Sequence, residues 1–279
     1  MYTPKIINFT PTGTQPNRDN SFAPLTPSEI IEEVHEAYEL GITLTHIHAR
    51  DPITLENTYK KEVYREIIDG IRKYCPNLSV CVSLTGRLYP EIEKRSEVLE
   101  LFPDMGSLTM SSLNFPTGSS TNEPNTILKL IEKMDEFGVI PEIECFDSGM
   151  VNYTNYLMKK NILKPPFYMN VILGNIYNAQ TDLTTVSSII NNITEDTVFC
   201  LGGIGKEQLK SNVLGLLYSD GVRIGLEDNL YDENKVKTTN IYLLKRIHSV
   251  IHDLGFSIMK PNDFQNLGYV NKKYNNLRG

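Results

Sequence analysis

Short apolar or β-branched runs alternate along the chain with longer stretches in which apolar residues recur about every 3.6 positions. The runs at 5–10, 43–49, 79–84, 107–111, 140–146, 168–173, 197–202 and 222–226 read as strands. The stretches near 27–40, 61–74, 90–101, 125–137, 148–159, 182–192, 206–218 and 238–254 read as helices, each long enough to return the chain antiparallel to the strand before it. The first helix has a legible start: Thr26, Pro27 and Glu29 supply a cap, a proline suited to the first helical position and a reciprocal carboxylate. The sixth is entered through Thr181 and Asp182. Parallel neighbours need helical crossovers and eight strands can close without an edge, so eight such pairs predict an α/β fold, a (β/α)8 TIM barrel. A doubly wound open sheet is the rival, but the first strand leads into the polar loop TGTQPNRDNSFAPL rather than a glycine-rich phosphate turn. No linker-like stretch divides residues 1–279, which read as one domain with a C-terminal tail past about 258 that packs on the barrel or on a neighbour.

Charge and composition narrow the class. Lys and Arg total 27 against 34 Asp and Glu, a net charge of −7, and no basic cluster exceeds pairs such as Lys159-Lys160. The chain has no footprint for a phosphate backbone, and no nucleic-acid partner is expected. The opening MYTPKIINFTP lacks the basic flank and apolar core of a signal peptide, and no segment approaches the roughly 20 apolar residues of a membrane span. A cytoplasmic protein with no membrane partner is expected. Cys75, Cys81, Cys145 and Cys200 are scattered without CxxC spacing and read as core residues rather than bridges or a zinc knuckle.

Catalytic groups of such barrels sit at the C-terminal ends of the strands, and strand side chains alternate faces. His46 and His48 therefore point the same way, about 7 Å apart at Cα, just before Arg50-Asp51. Such a pair can grip one metal ion, or can be hydrogen-bonded in the barrel mouth. In VRIGLEDN, Arg223, Gly225 and Glu227 share the inner face while Val222, Ile224 and Leu226 meet the helices. Only the first strand separates these two, so Glu227 can join His46 and His48 as a His, His, carboxylate set with a position left open for substrate, a recognised zinc arrangement. The competing reading is a salt bridge from Arg223 to Glu227 or Asp228 with no metal. Inward parity elsewhere gives Asn8, Thr10, Ser83, Thr85, Ser107, Thr109, Ser111, Glu142 and Glu144, a lining suited to a small carboxylate or keto acid, with Arg50 or Arg87 as countercharge. Glu142 and Glu144 would repel unless protonated, paired or occupied by a cationic group. LGGIGK offers Gly203, Gly205 and Lys206 at a helix start, either an anion site or simply a tight turn. His35, His248 and His252 read as helix surface.

HIHARD, SLTGR, PDMGSLTMSSLNF, PEIECFDSGM, LGGIGK and VRIGLEDN, in this order, resemble the β-keto acid cleavage enzyme family over residues 6 to about 258. The best-known member of that family acts on 3-keto-5-aminohexanoate. The resemblance implies a zinc-dependent barrel, usually a homotetramer, that condenses a β-keto acid with acetyl-CoA and releases acetoacetate and a new acyl-CoA. It makes His46, His48 and Glu227 the zinc ligands and Arg223 with Asp228 the dyad that takes a proton from the keto acid. Ser83 and Ser107, with Thr85 as an alternative in a shifted alignment, correspond to hydroxyls on the substrate carboxylate, and Glu144 to a glutamate near its distal end. Gly203, Gly205 and Lys206 are the candidate cofactor-binding residues. Two positions depart from the family. Gln15 stands where the aminohexanoate enzyme has an acidic residue, and Arg87 is added after the Thr85-Gly86 turn, suiting a second negative group or pairing with Glu144. A zinc aldolase or hydrolase without CoA, and a non-catalytic barrel that binds a small acid, are the other readings; Glu227, Arg223 and Asp228 together argue against the last, since a sensor needs no base.

Overall fold

The computed structural model describes residues 3–14 and 22–274; Gln15 lies outside them. Eight parallel strands close a barrel in sequence order: β1 (Ile6–Phe9), β2 (Leu44–Ile47), β3 (Ser79–Val82), β4 (Met105–Thr109), β5 (Ile140–Cys145), β6 (Phe167–Leu173), β7 (Thr197–Gly203) and β8 (Gly221–Ile224), the last pairing with β1. Around them run α1 (Pro27–Leu40), α2 (Lys61–Tyr74), α3 (Ile92–Ser96, continued by a 3-10 turn over Glu97–Leu101), α4 (Pro124–Phe137), α5 (Ser148–Lys159), α6 (Leu183–Ile190), α7 (Gln208–Tyr218) and α8 (Asn240–Asp253). The barrel is the fold the alternating pattern predicts.

Local chemistry sets the elements. Thr26 and Glu29 form a reciprocal capping box with Pro27 in the first turn of α1, and Asp182 caps α6 by accepting from the Thr185 N–H. α1 buries Ile30, Val34 and Ala37, and α2 buries Tyr64, Ile67, Ile68 and Ile71, in each case a single stripe. These stripes meet the outward strand residues, among them Ile7, Phe9, Val80, Val82, Met169, Val171, Val222 and Ile224, in the principal core. Among the described residues no helix is long and apolar enough to cross a membrane.

The inside of the barrel is divided by height. Its lower end is apolar: Ile6, Leu44, Cys81, Met105, Tyr168 and Cys200 form a separate cluster with Phe264 and Tyr269. The latter two come from the tail, where α9 (Pro261–Asn266) tucks beneath the strands. Their rings stack at 4.4 Å between centroids, and both meet Tyr168 edge-on. The Tyr269 hydroxyl donates to Phe167 O, and Ser79 Oγ donates to Tyr269 O. Of the alternatives for the tail, the chain uses its own barrel. All four cysteines are free and buried.

The strand boundaries differ from the pattern in two informative places. β4 begins at Met105, two residues early, because Met105 supplies part of the apolar floor. β8 stops at Ile224, since Gly225 has a positive φ of 157° and presses so closely on β1 that a Cβ there would lie 2.1 Å from Thr10 O. Two small hairpins, Ala49–Arg50 with Asn57–Thr58 and Leu113–Phe115 with Gly118–Ser120, stand in the loops after β2 and β4. Neither follows from periodicity, because strands this short carry no period.

The floor gives a direct test. Phe264→Ala should cost about 3–5 kcal/mol of unfolding free energy, as expected for a buried aromatic removed from a packed cluster. Urea denaturation followed by circular dichroism measures it.

Candidate active site

Above the floor the interior becomes polar and opens at the C-terminal ends of the strands. A cavity of about 310 Å³ there is lined by residues that include His46, His48, Ser83, Thr85, Arg87, Thr109, Glu144, Arg223, Glu227 and Asp228, with Phe115, Pro116 and Thr117 of the second hairpin along one side. His46 and His48 are both buried and face inward, as strand alternation requires. Their Nε2 atoms stand 3.3 Å apart. Glu227 Oε1 lies 3.2 Å from His48 Nε2 and 3.7 Å from His46 Nε2. Two imidazole nitrogens and one carboxylate oxygen thus converge on a common point, within 4.8 Å of one another.

Glu227 reaches that point from a turn, beyond the end of β8. Gly225 lets the chain pass against Thr10, and the Glu227 N–H donates to Thr10 O at 3.1 Å. Gly13, at φ +62°, makes room on the other side: a Cβ there would fall 2.6 Å from Glu227 Cγ. Arg50 donates to Gly13 O and Leu55 O, so it holds the loop after β1.

Arg223 ties three carboxylates together. Its Nη2 donates to Glu227 Oε1 at 2.7 Å, its Nε to Asp228 Oδ2 at 2.9 Å and its Nη1 to Glu144 Oε1 at 3.0 Å. The salt bridges that sequence set against a metal site therefore coexist with the ligand geometry. Glu144 also accepts from Thr109 Oγ1 at 2.8 Å. Glu142, one pair of residues deeper on β5, is completely buried. It accepts from Asn8 at 2.6 Å, Asn170 at 2.8 Å and the Cys81 thiol at 3.0 Å, and its Oε2 meets His46 Nδ1 at 2.5 Å. With Nδ1 held by a carboxylate, His46 presents Nε2 to the cavity, the orientation a metal-binding histidine takes.

The electrostatics follow from this crowding. Burial would push the Glu142 carboxyl up, but the His46 ring, Arg223 and the Cys81 thiol hold it down at about 2. Burial would lower His46; the Glu227 and Glu142 carboxylates outweigh it and raise the ring to about 9. His48 goes the other way, lowered by burial despite Glu227. Glu227 resists burial and lies well below the usual carboxylate range because of Arg223 and both imidazoles. Asp228 and Glu144 are raised by burial against the pull of Arg223. The field of Glu227 and Glu142 favours positive charge between them, where the two Nε2 atoms meet. A divalent cation fits that donor set.

The remaining sequence candidates fall in different places. Ser83 and Thr85 line the cavity. Ser107 is buried below Thr109, its Oγ accepting from the Leu84 N–H at 2.9 Å. Arg87 lines the cavity but is not paired with Glu144: it donates to Thr14 Oγ1 and lies over the Phe115 ring at 3.8 Å. After β7, Ile204 touches the cavity, the Gly205 N–H donates to Asp228 O at 2.7 Å, and the Lys206 side chain is 92% exposed. His35 and His252 stay on helix surfaces, while His248 is half-buried against Gly41. Sequence reasoning missed Asn170, Cys81 and Phe115. Asn170 was visible as the one amide in the apolar run FYMNVIL; the hairpin that carries Phe115 had no signal.

A family model for beta-keto acid cleavage enzymes matches residues 4–267. The chain is 31% identical over 247 residues to the 3-keto-5-aminohexanoate cleavage enzyme of Fusobacterium nucleatum, covering 88% of this chain and 89% of that one. It is 30% identical over 261 residues to the 3-oxoadipate:acetyl-CoA acetyltransferase of Cupriavidus necator, covering 91% of each. It is 29% identical over 268 residues to the 3-dehydrocarnitine:acetyl-CoA trimethylamine transferase of Rhizobium meliloti, covering 88% and 89%. Among solved structures, apo ObcA shares the fold at a TM-score of 0.73 and 16% identity; 90% of this chain spans 66% of that one, just under two thirds.

The Glu142 network yields a measurable expectation. Glu142→Leu leaves Asn8, Asn170 and the His46 ring without their acceptor, and should cost about 3–5 kcal/mol in equilibrium unfolding. An unchanged denaturation midpoint would contradict the accounting of these bonds.

Proposed function

The chain belongs to the beta-keto acid cleavage enzyme family, and we propose that it transfers an acyl group between a β-keto acid and acetyl-CoA, with zinc held by His46, His48 and Glu227. The products are acetoacetate and a new acyl-CoA. One observation supports this above the others: the ligand set and the buried Arg223–Asp228 pair share one cavity. When bound, the ion would act as a Lewis acid on the ketone oxygen of the substrate. His46, His48 and Glu227 would hold the ion, and the contact of His46 Nδ1 with Glu142 keeps the Nε2 of that ring turned toward the cavity.

Asp228 is the base. Burial raises its carboxyl above the usual range, which strengthens it as a proton acceptor, while Arg223 Nε fixes one of its oxygens at 2.9 Å. It takes the proton from the carbon between ketone and carboxylate. The carbanion attacks the acetyl thioester, a carbon–carbon bond forms, and CoA leaves as thiolate. The thiolate adds to the former keto carbon, the original carbon–carbon bond breaks, and Asp228 returns its proton to the departing acetoacetate. Ser83 and Thr85 hold the substrate carboxylate in the cavity wall, with Ser107 fixing the backbone at Leu84 beneath them. Lys206, exposed beside the mouth, with Gly203 and Gly205, meets the phosphates of CoA. The family reading also carries a cytoplasmic homotetramer.

Two measurements test the assignment. Metal analysis should find one zinc per chain in the purified protein, and a large loss of it in His46→Ala or Glu227→Ala; full occupancy in either variant contradicts the ligand set. Acetyl-CoA with a panel of β-keto acids should release acetoacetate. Asp228→Asn should retain zinc and lower kcat by about 10²–10⁴-fold.

A further inference from the structure

Among the described residues two arginines border the cavity, and they differ in what surrounds them. Arg223 is saturated, with carboxylates on Nε, Nη1 and Nη2. Arg87 has no carboxylate within salt-bridge distance among the described residues. Its Nη1 donates to Thr14, its backbone N–H to Thr85 Oγ1, and its buried Nε has no hydrogen-bond partner. Glu144, the acid that could have neutralised it, is taken up by Arg223 and Thr109. Yet the guanidinium is held in place: its Cζ lies over the Phe115 ring, 3.8 Å from the centroid, and Phe115 in turn abuts Phe146 edge-on at 5.8 Å. A half-buried cation, fixed by stacking and with donors unused, is poorly solvated and suits a planar anion.

The direction it faces defines what it can meet. Thr14 follows Gly13, which packs on Glu227, so Arg87 borders the ligand cluster from the side of the β1 loop and the Leu113–Phe115 hairpin. Ser83 and Thr85 line the same cavity, and Thr85 Oγ1 accepts the Arg87 backbone N–H at 3.3 Å, which leaves its own proton free to donate to a carboxylate. From this we infer that Arg87 forms an anion subsite and that the preferred substrate is a β-keto acid carrying a second carboxylate at its far end. This deepens the reading above and rests on it, with Ser83 and Thr85 serving the carboxylate that all β-keto acids share. A cationic far end is disfavoured by the same guanidinium, so the site rejects ammonium-ended acids as well as selecting anionic ones.

The test compares straight-chain β-keto acids of equal length ending in carboxylate, methyl or ammonium. Binding to the zinc-loaded protein without acetyl-CoA is measured by titration calorimetry. The carboxylate-ended acid should bind about 10- to 100-fold more tightly than the methyl-ended one, as expected for a charge-assisted contact, and the ammonium-ended acid most weakly. In Arg87→Gln the preference should collapse toward unity, and in Arg87→Lys it should be partly retained. Equal affinities in the unaltered protein overturn the inference, as does an Arg87→Gln variant that weakens all three acids alike. Turnover separates the two levels. If acetyl-CoA releases acetoacetate from none of the acids, the proposed reaction fails, while the order of binding still decides the subsite.

Discussion

A carboxylate removed from water must meet a positive charge or a full set of donors. Among the described residues the interior of this barrel holds four of them, Glu142, Glu144, Glu227 and Asp228, and the rest of the site is arranged around that requirement. Arg223 answers three, from one position on β8. Glu142 is answered from four other strands, by Asn8 on β1, His46 on β2, Cys81 on β3 and Asn170 on β6. These contacts cross the barrel, so they fix the strands relative to one another as well as the side chains. The excess of negative charge left around the imidazoles is what makes the place attractive to a cation.

Much of this was readable in the sequence because a strand has a period of two. HIH puts both imidazoles on one face, VRIGLED puts Arg223 on the inner face of its strand, and IPEIEC does the same for Glu142 and Glu144. What alternation cannot supply is which inward residues meet. Glu142 and His46 lie 96 positions apart, and only closure of the barrel brings them together. Nor does it mark where a strand stops. Glu227 seemed to continue β8, whereas Gly225 breaks the strand and delivers Glu227 from a turn braced by Gly13. The fate of Arg87 was open for the same reason: pairing with Glu144 was plausible until Arg223 proved to occupy that carboxylate.

The two ends of the barrel obey different chemistry. Below, Phe264 and Tyr269 close the strands with aromatic surface, and the tail is tied back by Asn271, whose N–H donates to Asp104 at 3.0 Å. Above, the loops after β1, β4 and β8 surround a polar space. The apolar floor gives the buried charges a rigid, water-poor base, which strengthens their mutual interactions. Fold and site are therefore coupled through a handful of residues at mid-height, chiefly Glu142 and Asn170.

That floor also governs traffic. With the lower end filled by Tyr168, Phe264 and Tyr269, the cavity that the described residues form opens at the C-terminal ends of the strands, and a guest meets Arg223 and the two imidazoles before it can reach the apolar floor.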